Sequence, residues 1–233
     1  MGKEPAQPSR PAEAPENAPK REPVAHVVDV WQFSLATAAA LLIGALFLQL
    51  PEELLVGPRW LLLVIEVALL TPPVLARVTN THLPQRVARG FVYALLAALT
   101  LELTLSLAKL VTLLANPQLS PRLLLISGIL LWCANVLVFA SWFWETDGDG
   151  PVSRHHAGHE AADFQFPQQE GGNIHGWRPG FVDYLFLAFC TATALSPADT
   201  MPLTRRAKLL MMVEAIISMV VIVMLLARFV NVV

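Results

Sequence analysis

Apolar residues run along this chain in long blocks, and those at 31–50, 60–76, 90–114 and 123–144 each fall within the roughly 17–25 residues that a helix needs to cross a bilayer core. Their edges carry Pro, Arg or Trp, residues that gather where membrane meets water. A fifth unambiguous block covers 207–230. Between these lies a polar stretch, 145–178, punctuated by Gly148, Gly150, Gly158, Gly171, Gly172 and Gly176. The block at 180–195 is short for a span and carries Asp183, so it is either a re-entrant helix or a sixth span. The pattern therefore predicts an all-α, polytopic helical membrane protein with 5 spans plus a re-entrant helix, or 6 spans. Pro72 and Pro73 remove two backbone donors near the end of the second block, where the helix should kink or stop.

Composition agrees with the pattern. The chain has 233 residues, 55% hydrophobic and only 15% charged, with a mean hydropathy of +0.55, far more apolar than a soluble domain of this size. The bilayer is thus its first partner, and helices satisfy every backbone group there without help from neighbours. A net charge of -2 with no basic stripe excludes nucleic acid as a partner. Cys133 and Cys190 both sit in apolar blocks and read as small packing residues. Residues 1–26 hold six prolines among Ala, Glu, Lys and Arg, a composition that predicts a disordered tail. No cleavage pattern follows the first apolar block, which is expected to stay as an anchor.

Charge sets an expected orientation. With the tail cytoplasmic, Lys3, Arg10, Lys20, Arg21, Arg77, Arg86 and Arg89 lie inside and Arg59 and Arg122 outside, as the positive-inside bias requires. A re-entrant 180–195 keeps Arg205, Arg206 and Lys208 inside as well; a full span moves them outside. Trp31, Trp60, Trp142, Trp144 and Trp177 fit an interfacial belt, or else pack against neighbouring helices.

Ionisable residues inside apolar blocks mark candidate sites, because a charge at mid-bilayer is costly unless paired or wetted. Glu66 lies in the second block, and Glu102 and Lys109 lie seven residues apart on nearly one face of the third. Together they compose a candidate ion or proton site, or else Lys109 snorkels and the glutamates are structural. Glu214, in the last block, is placed to join the same cavity, with Asn135 and Ser218 as interhelical polar contacts. His155, His156, His159 and Glu160 have helical spacing suited to a zinc ion, or compose a mobile titrating segment. Glu145, Asp147, Asp149 and Gly150 resemble the start of a calcium loop that lacks its closing glutamate. The chain contains no nucleophile triad, phosphate-cradling loop or redox dithiol, so neither enzymatic activity nor a cofactor is expected.

The segment from Thr191 to Thr204 follows a short apolar helix and leads into a long one. It resembles the pore region of potassium channels, in which a pore helix ends in Thr-Val-Gly-Tyr-Gly-Asp before a Pro-x-Thr turn into the inner helix. Thr191, Thr193, Asp199, Pro202 and Thr204 match, while Ser196 and Ala198 stand in place of the filter glycines and Pro197 in place of the aromatic. Carbonyl cages need glycine's backbone freedom, so the resemblance implies a degenerate, wider filter lined by Thr191, Thr193, Ser196, Pro197 and Asp199. The alternative is a plain turn between two spans. Beyond this segment, Trp142 to Glu145, Asp163 to Gln168 and Trp177 to Tyr184 resemble motifs of an uncharacterised bacterial multi-span membrane protein family, which implies a bacterial inner-membrane address.

The expected organisation is a Pro-rich cytoplasmic tail (1–26), a four-helix transmembrane region (27–145), a polar Gly/His-rich loop (146–178) and a pore-like helix, turn and final span (179–233). The expected function is an ion-channel-like pore for cations, which requires a homo-oligomer. Alternatives are a non-conducting membrane scaffold or partner-binding subunit, and a proton-coupled transporter using Glu66 and Glu102.

Overall fold

The computed structural model describes residues 30–79, 84–113, 120–193 and 199–230; the Pro-rich tail, Ser196 and Pro197 lie outside them. The long helices are α1 (Val30–Leu48), α2 (Trp60–Val78), α3 (Gln85–Leu113) and α4 (Pro121–Thr146). A polar loop follows, with short helix α5 (Pro151–His156) and strand β1 (Phe164–Gln165). The chain then forms α6 (Phe181–Thr193), strand β2 (Met201–Pro202) and α7 (Arg205–Val230). Five of these helices are long and apolar enough to cross a membrane, and α6 is a shorter apolar helix.

Local chemistry sets several boundaries. The Ser120 hydroxyl accepts from the Leu123 N–H at 3.2 Å, and Pro121 occupies the first turn, so α4 begins with a capped end. Helix α2 runs through Pro72 and Pro73 to Val78, so of the two expectations at these prolines, kink or stop, the stop does not occur. Thr71 Oγ1 donates back to the Val67 carbonyl at 2.6 Å, one residue before the Ala68 and Leu69 carbonyls whose helical donors the prolines remove.

The ends of the bundle follow from named contacts. At the first end, the Phe181 N–H donates to Gln32 Oε1 of α1 at 2.7 Å, Arg77 of α2 lies over Phe33 at 4.4 Å, and Tyr93 of α3 stacks on Trp142 of α4 at 5.9 Å. At the second end, the Val56 N–H in the α1–α2 turn donates to Glu102 Oε1 at 2.9 Å, and Lys109 Nζ donates to the Leu55 carbonyl. Helices α1 to α4 thus alternate in direction, and α4 delivers the polar loop to the first end.

Helix α4 is the central mast. Over half of its spanning window is buried, against 6% for α2, and it packs on α1, α3, α6 and α7. Small residues make this possible: Ala134 and Ala140 are buried on it, and a Cβ on Gly128 would meet Leu225 Cδ2 of α7 at 2.6 Å. Trp142 and Trp144 serve this packing. Trp142 Nε1 donates to Thr100 Oγ1 at 2.9 Å, and Trp144 is 4% exposed. Trp31 and Trp60 remain exposed, so the belt reading suits those two and not Trp142 or Trp144.

Gly44 of α1 is where Glu66 of α2 seats itself, since a Cβ there would stand 1.9 Å from Glu66 Oε2 and 3.1 Å from Leu63 Cδ1. Gly44→Val should therefore destabilise the fold by about 1–3 kcal/mol, the usual range for overpacking. Glu66→Ala in the same chain should recover most of that loss. Thermal unfolding of the purified proteins in one detergent checks both.

Candidate functional site

Helix α6 enters the bundle and does not cross it. It starts at the first end, where Tyr184 donates its hydroxyl to Asp147 Oδ2 at 2.5 Å and Phe181 packs on Trp144 at 6.1 Å. Thirteen residues make about 20 Å of helix, less than the roughly 30 Å of a hydrocarbon core. Its far end lies against the middle of its neighbours: Ser218 of α7 donates to the Ala192 carbonyl at 2.5 Å and accepts from Trp132 Nε1 of α4 at 2.9 Å. By Met201 the chain is back at the first end, where β2 pairs antiparallel with β1, Phe164 opposite Pro202 and Gln165 opposite Met201. Helix α7 starts there too. The open alternative at 180–195 thus resolves into a re-entrant helix plus five spans.

Asp163 fastens this return. It is 1% exposed, and its carboxylate accepts from Arg206 Nε at 2.6 Å, Arg206 Nη2 at 2.5 Å, Thr204 Oγ1 at 2.5 Å and the Gly148 N–H at 3.0 Å. Its own carbonyl accepts from the Leu203 N–H at 2.8 Å, and its N–H donates to Asp147 Oδ1 at 2.8 Å. Burial raises the Asp163 pKa, but the Arg206 pair and the Thr204 and Gly148 donors outweigh it and hold the carboxyl below its ordinary value. Asp149 extends the cluster, pairing with Arg206 at 3.1 Å and with Arg89 of α3 at 3.3 Å.

Arg154 closes the end of α4. Buried to 2% exposure, it donates to the Trp144 and Asp147 carbonyls at 2.7 and 2.6 Å and lies over the Trp144 and Tyr184 rings. A cation at a helix C-terminus answers both the orphan carbonyls and the macrodipole. Around it, Phe143, Phe164, Tyr184, Phe166 and Trp177 follow one another edge to face or tilted, at 5.1–6.4 Å between centroids. The aromatic residues of the loop therefore bind it to α4 and α6.

The residues singled out from sequence fall into separate places. Thr191 Oγ1 donates to the Leu187 carbonyl at 2.9 Å, Thr193 Oγ1 donates to Phe189 at 2.8 Å, and Asp199 is exposed at the first end. Glu102 and Lys109 meet the α1–α2 turn while Glu66 lies against Gly44, and no ion pair joins the three among the described residues. Glu214 is buried with both carboxyl oxygens unpartnered. The His155 ring lies 5.5 Å from that of His159 and 6.1 Å from that of His156, yet no group of three or more His, Cys, Asp or Glu placed to hold a metal ion, Glu160 included, occurs among the described residues. The physical reason is that α5 ends at His156 and His159 adopts a positive φ of 59°, which breaks the helical spacing. Asp147 and Asp149, read as a calcium-loop start, serve instead as acceptors for Tyr184, backbone N–H groups and arginines. Asp163, Arg154 and Arg206 gave no local signal, since Asp163 and Arg206 lie 43 positions apart.

Five long apolar helices and a short one packed on α4, α7 and α1, with the Asp163 cluster at one end, define a polytopic helical membrane protein. Comparison with family models, curated proteins and solved structures returns no match.

Two outcomes follow. Asp163→Ala strands Thr204 and the Gly148 N–H and should cost about 2–4 kcal/mol; Arg206→Ala should cost at least as much, because it leaves the buried Asp163 carboxylate without its cation, whereas a stranded Arg206 is half exposed and keeps Asp149. Thermal unfolding ranks them. The second concerns pH: burial, then the nearby Arg178, His155 and Arg154 charges, lower the His159 pKa from 6.5 to about 4. Between those values the unfolded loop binds the extra proton, so loop stability falls as pH drops from 6.5 towards 4. Hydrogen exchange across 155–177, corrected for intrinsic rates, should accelerate over that window and lose the acceleration in His159→Gln.

Proposed function

We propose that this protein is a pore-forming membrane protein whose α6–α7 unit admits a cation, several copies assembling around the α6 side of the bundle. The observation that carries the reading is the path of the chain: a half-depth helix, a return to the same end within seven residues, and then a long helix starting beside it. That order is shared with the potassium-channel pore region, and the matches at Thr191, Thr193, Asp199, Pro202 and Thr204 fall along it. A helix C-terminus turned toward the bilayer interior carries partial negative charge and favours a cation. A side chain such as Asp199 at the mouth acts the same way, since rings of carboxylates select cations. The Thr191, Thr193 and Ser196 hydroxyls are the remaining candidate ligands, Ser196 and Pro197 on sequence alone.

Basic residues favour an orientation. Arg77, Arg86, Arg89, Arg154, Arg178, Arg205, Arg206 and Lys208 belong to the first end, against Arg59, Lys109, Arg122 and, by its place in α7, Arg228 at the second. The positive-inside bias then puts the first end in the cytoplasm, so the re-entrant helix opens inward, opposite to a potassium channel. A second reading, a partner-binding scaffold, is favoured by the loop surface, where Ile174 is 77% exposed on a loop otherwise tied to the bundle.

Cation flux into proteoliposomes tests the proposal. The wild-type chain should conduct, and Asp199→Ala should change conductance or selectivity several-fold with reconstitution yield unchanged; a wild-type chain that passes no cation rejects the pore and leaves the scaffold. Single cysteines at Ala162 and Thr200, in a Cys133→Ala, Cys190→Ala background, should both stay unlabelled by an impermeant thiol reagent on intact cells and both label in inverted membrane vesicles.

A further inference from the structure

The seam where α4, α6 and α7 meet holds more acceptors than donors. Its donors are engaged: Trp132 Nε1 serves Ser218, the Ser218 hydroxyl serves the Ala192 carbonyl, and Asn135 Nδ2 serves the Glu214 carbonyl at 3.3 Å. Glu214 Oε1, Glu214 Oε2 and Asn135 Oδ1 are left buried with no partner. Both residues are 0% exposed. In an apolar interior each unmatched acceptor is costly, and a bare carboxylate most of all. Such a site calls for a ligand of positive charge, and a fully closed seam has room for the smallest.

We infer that Glu214 is a proton-binding site of the α4–α6–α7 seam, and that its bound proton keeps the re-entrant helix α6 docked. The proton adds to a carboxylate oxygen, giving the neutral acid and supplying the donor that the seam lacks. Surrounding groups offer no substitute. On α6, Tyr184 is committed to Asp147, Asp183 accepts from the Gly180 N–H, and Cys190 is a thiol. On α4, Cys133 is a free thiol and Glu145 lies at the first end, ten residues from Asn135. On α7 the cations Arg205, Arg206 and Lys208 sit in the first turn, with Arg206 held by Asp163 and Asp149. On α3, which touches α7 lightly, Glu102 and Lys109 are tied to the α1–α2 turn.

Loss of the proton leaves a charge with no partner one turn from Ser218, whose hydroxyl is the side-chain tie between α7 and the end of α6. Parting α6 from α7 admits water and relieves that charge. Helix α6 is the element free to move, since it is short and rejoins the first end on both sides. The inference does not require conduction, and it is tested without it.

The experiment uses the full chain in nanodiscs, with infrared absorption of protonated carboxylic acids and hydrogen exchange of residues 184–193 recorded along a rising pH series. In the wild type, an acid carbonyl band present at neutral pH should bleach as α6 exchange accelerates beyond its intrinsic pH dependence. Glu214→Gln should lose that part of the band and the extra acceleration together, whereas Glu66→Gln should keep both. A band unchanged in Glu214→Gln overturns the proton site, as does protection of α6 by sodium at high pH. Extra acceleration that persists in Glu214→Gln overturns the coupling to α6. Should that variant not fold, the wild-type series alone decides: bleaching without a change in α6 exchange sinks the coupling.

Discussion

Asp163 ties together parts of the chain that have no covalent reason to meet. Its carboxylate gathers Arg206 and Thr204 from the start of α7 and the Gly148 N–H from the end of α4, while its backbone pairs with Leu203 and Asp147. A buried carboxylate needs compensating donors, and here four are supplied by two segments that enter and leave the membrane at the same end. The re-entrant course of α6 depends on this junction. With α7 anchored beside α4, the chain leaving α6 has to come back to the first end, and β2 closes on β1 as a consequence.

The interior of the bundle is organised by a different constraint. Lipid is as apolar as leucine, so helix association draws on close packing and on the few polar contacts available. Gly128 lets α7 approach α4, Gly44 makes room for Glu66, and Ser218 serves α4 and α6 at once. The carboxyl groups of Glu66 and Glu214 stand out against this economy, buried without hydrogen-bond partners. They lie at different interfaces, one between α1 and α2 and the other in the α4–α6–α7 seam, so each has its own surroundings.

The aromatic loop residues link the two regimes. Phe164, Phe166 and Trp177 belong to the polar stretch of the sequence, yet they continue the edge-to-face series begun by Phe143 and Tyr184 inside the bundle. Arg154 is their polar counterpart, capping α4 while covering Trp144 and Tyr184. The polar stretch is consequently a folded lid whose hydrogen bonds run to the membrane helices.

Length and hydropathy alone determined the five spans, because crossing a bilayer imposes a minimum apolar run that any chain must display locally. The shortness of the 180–195 block was equally legible, and with it the choice between re-entrance and a sixth span. Resolving that choice took contacts between Ala192 and Ser218 and between Asp163 and Arg206, pairs 26 and 43 positions apart. Spacing rules hold only where one regular element carries all the residues concerned. They do not reach His159, which falls beyond the end of α5, or the Glu66, Glu102 and Lys109 group, whose members sit on two helices facing different partners. Burial of a charge, and the donors that compensate it, are properties of how helices meet; tertiary structure alone decided them.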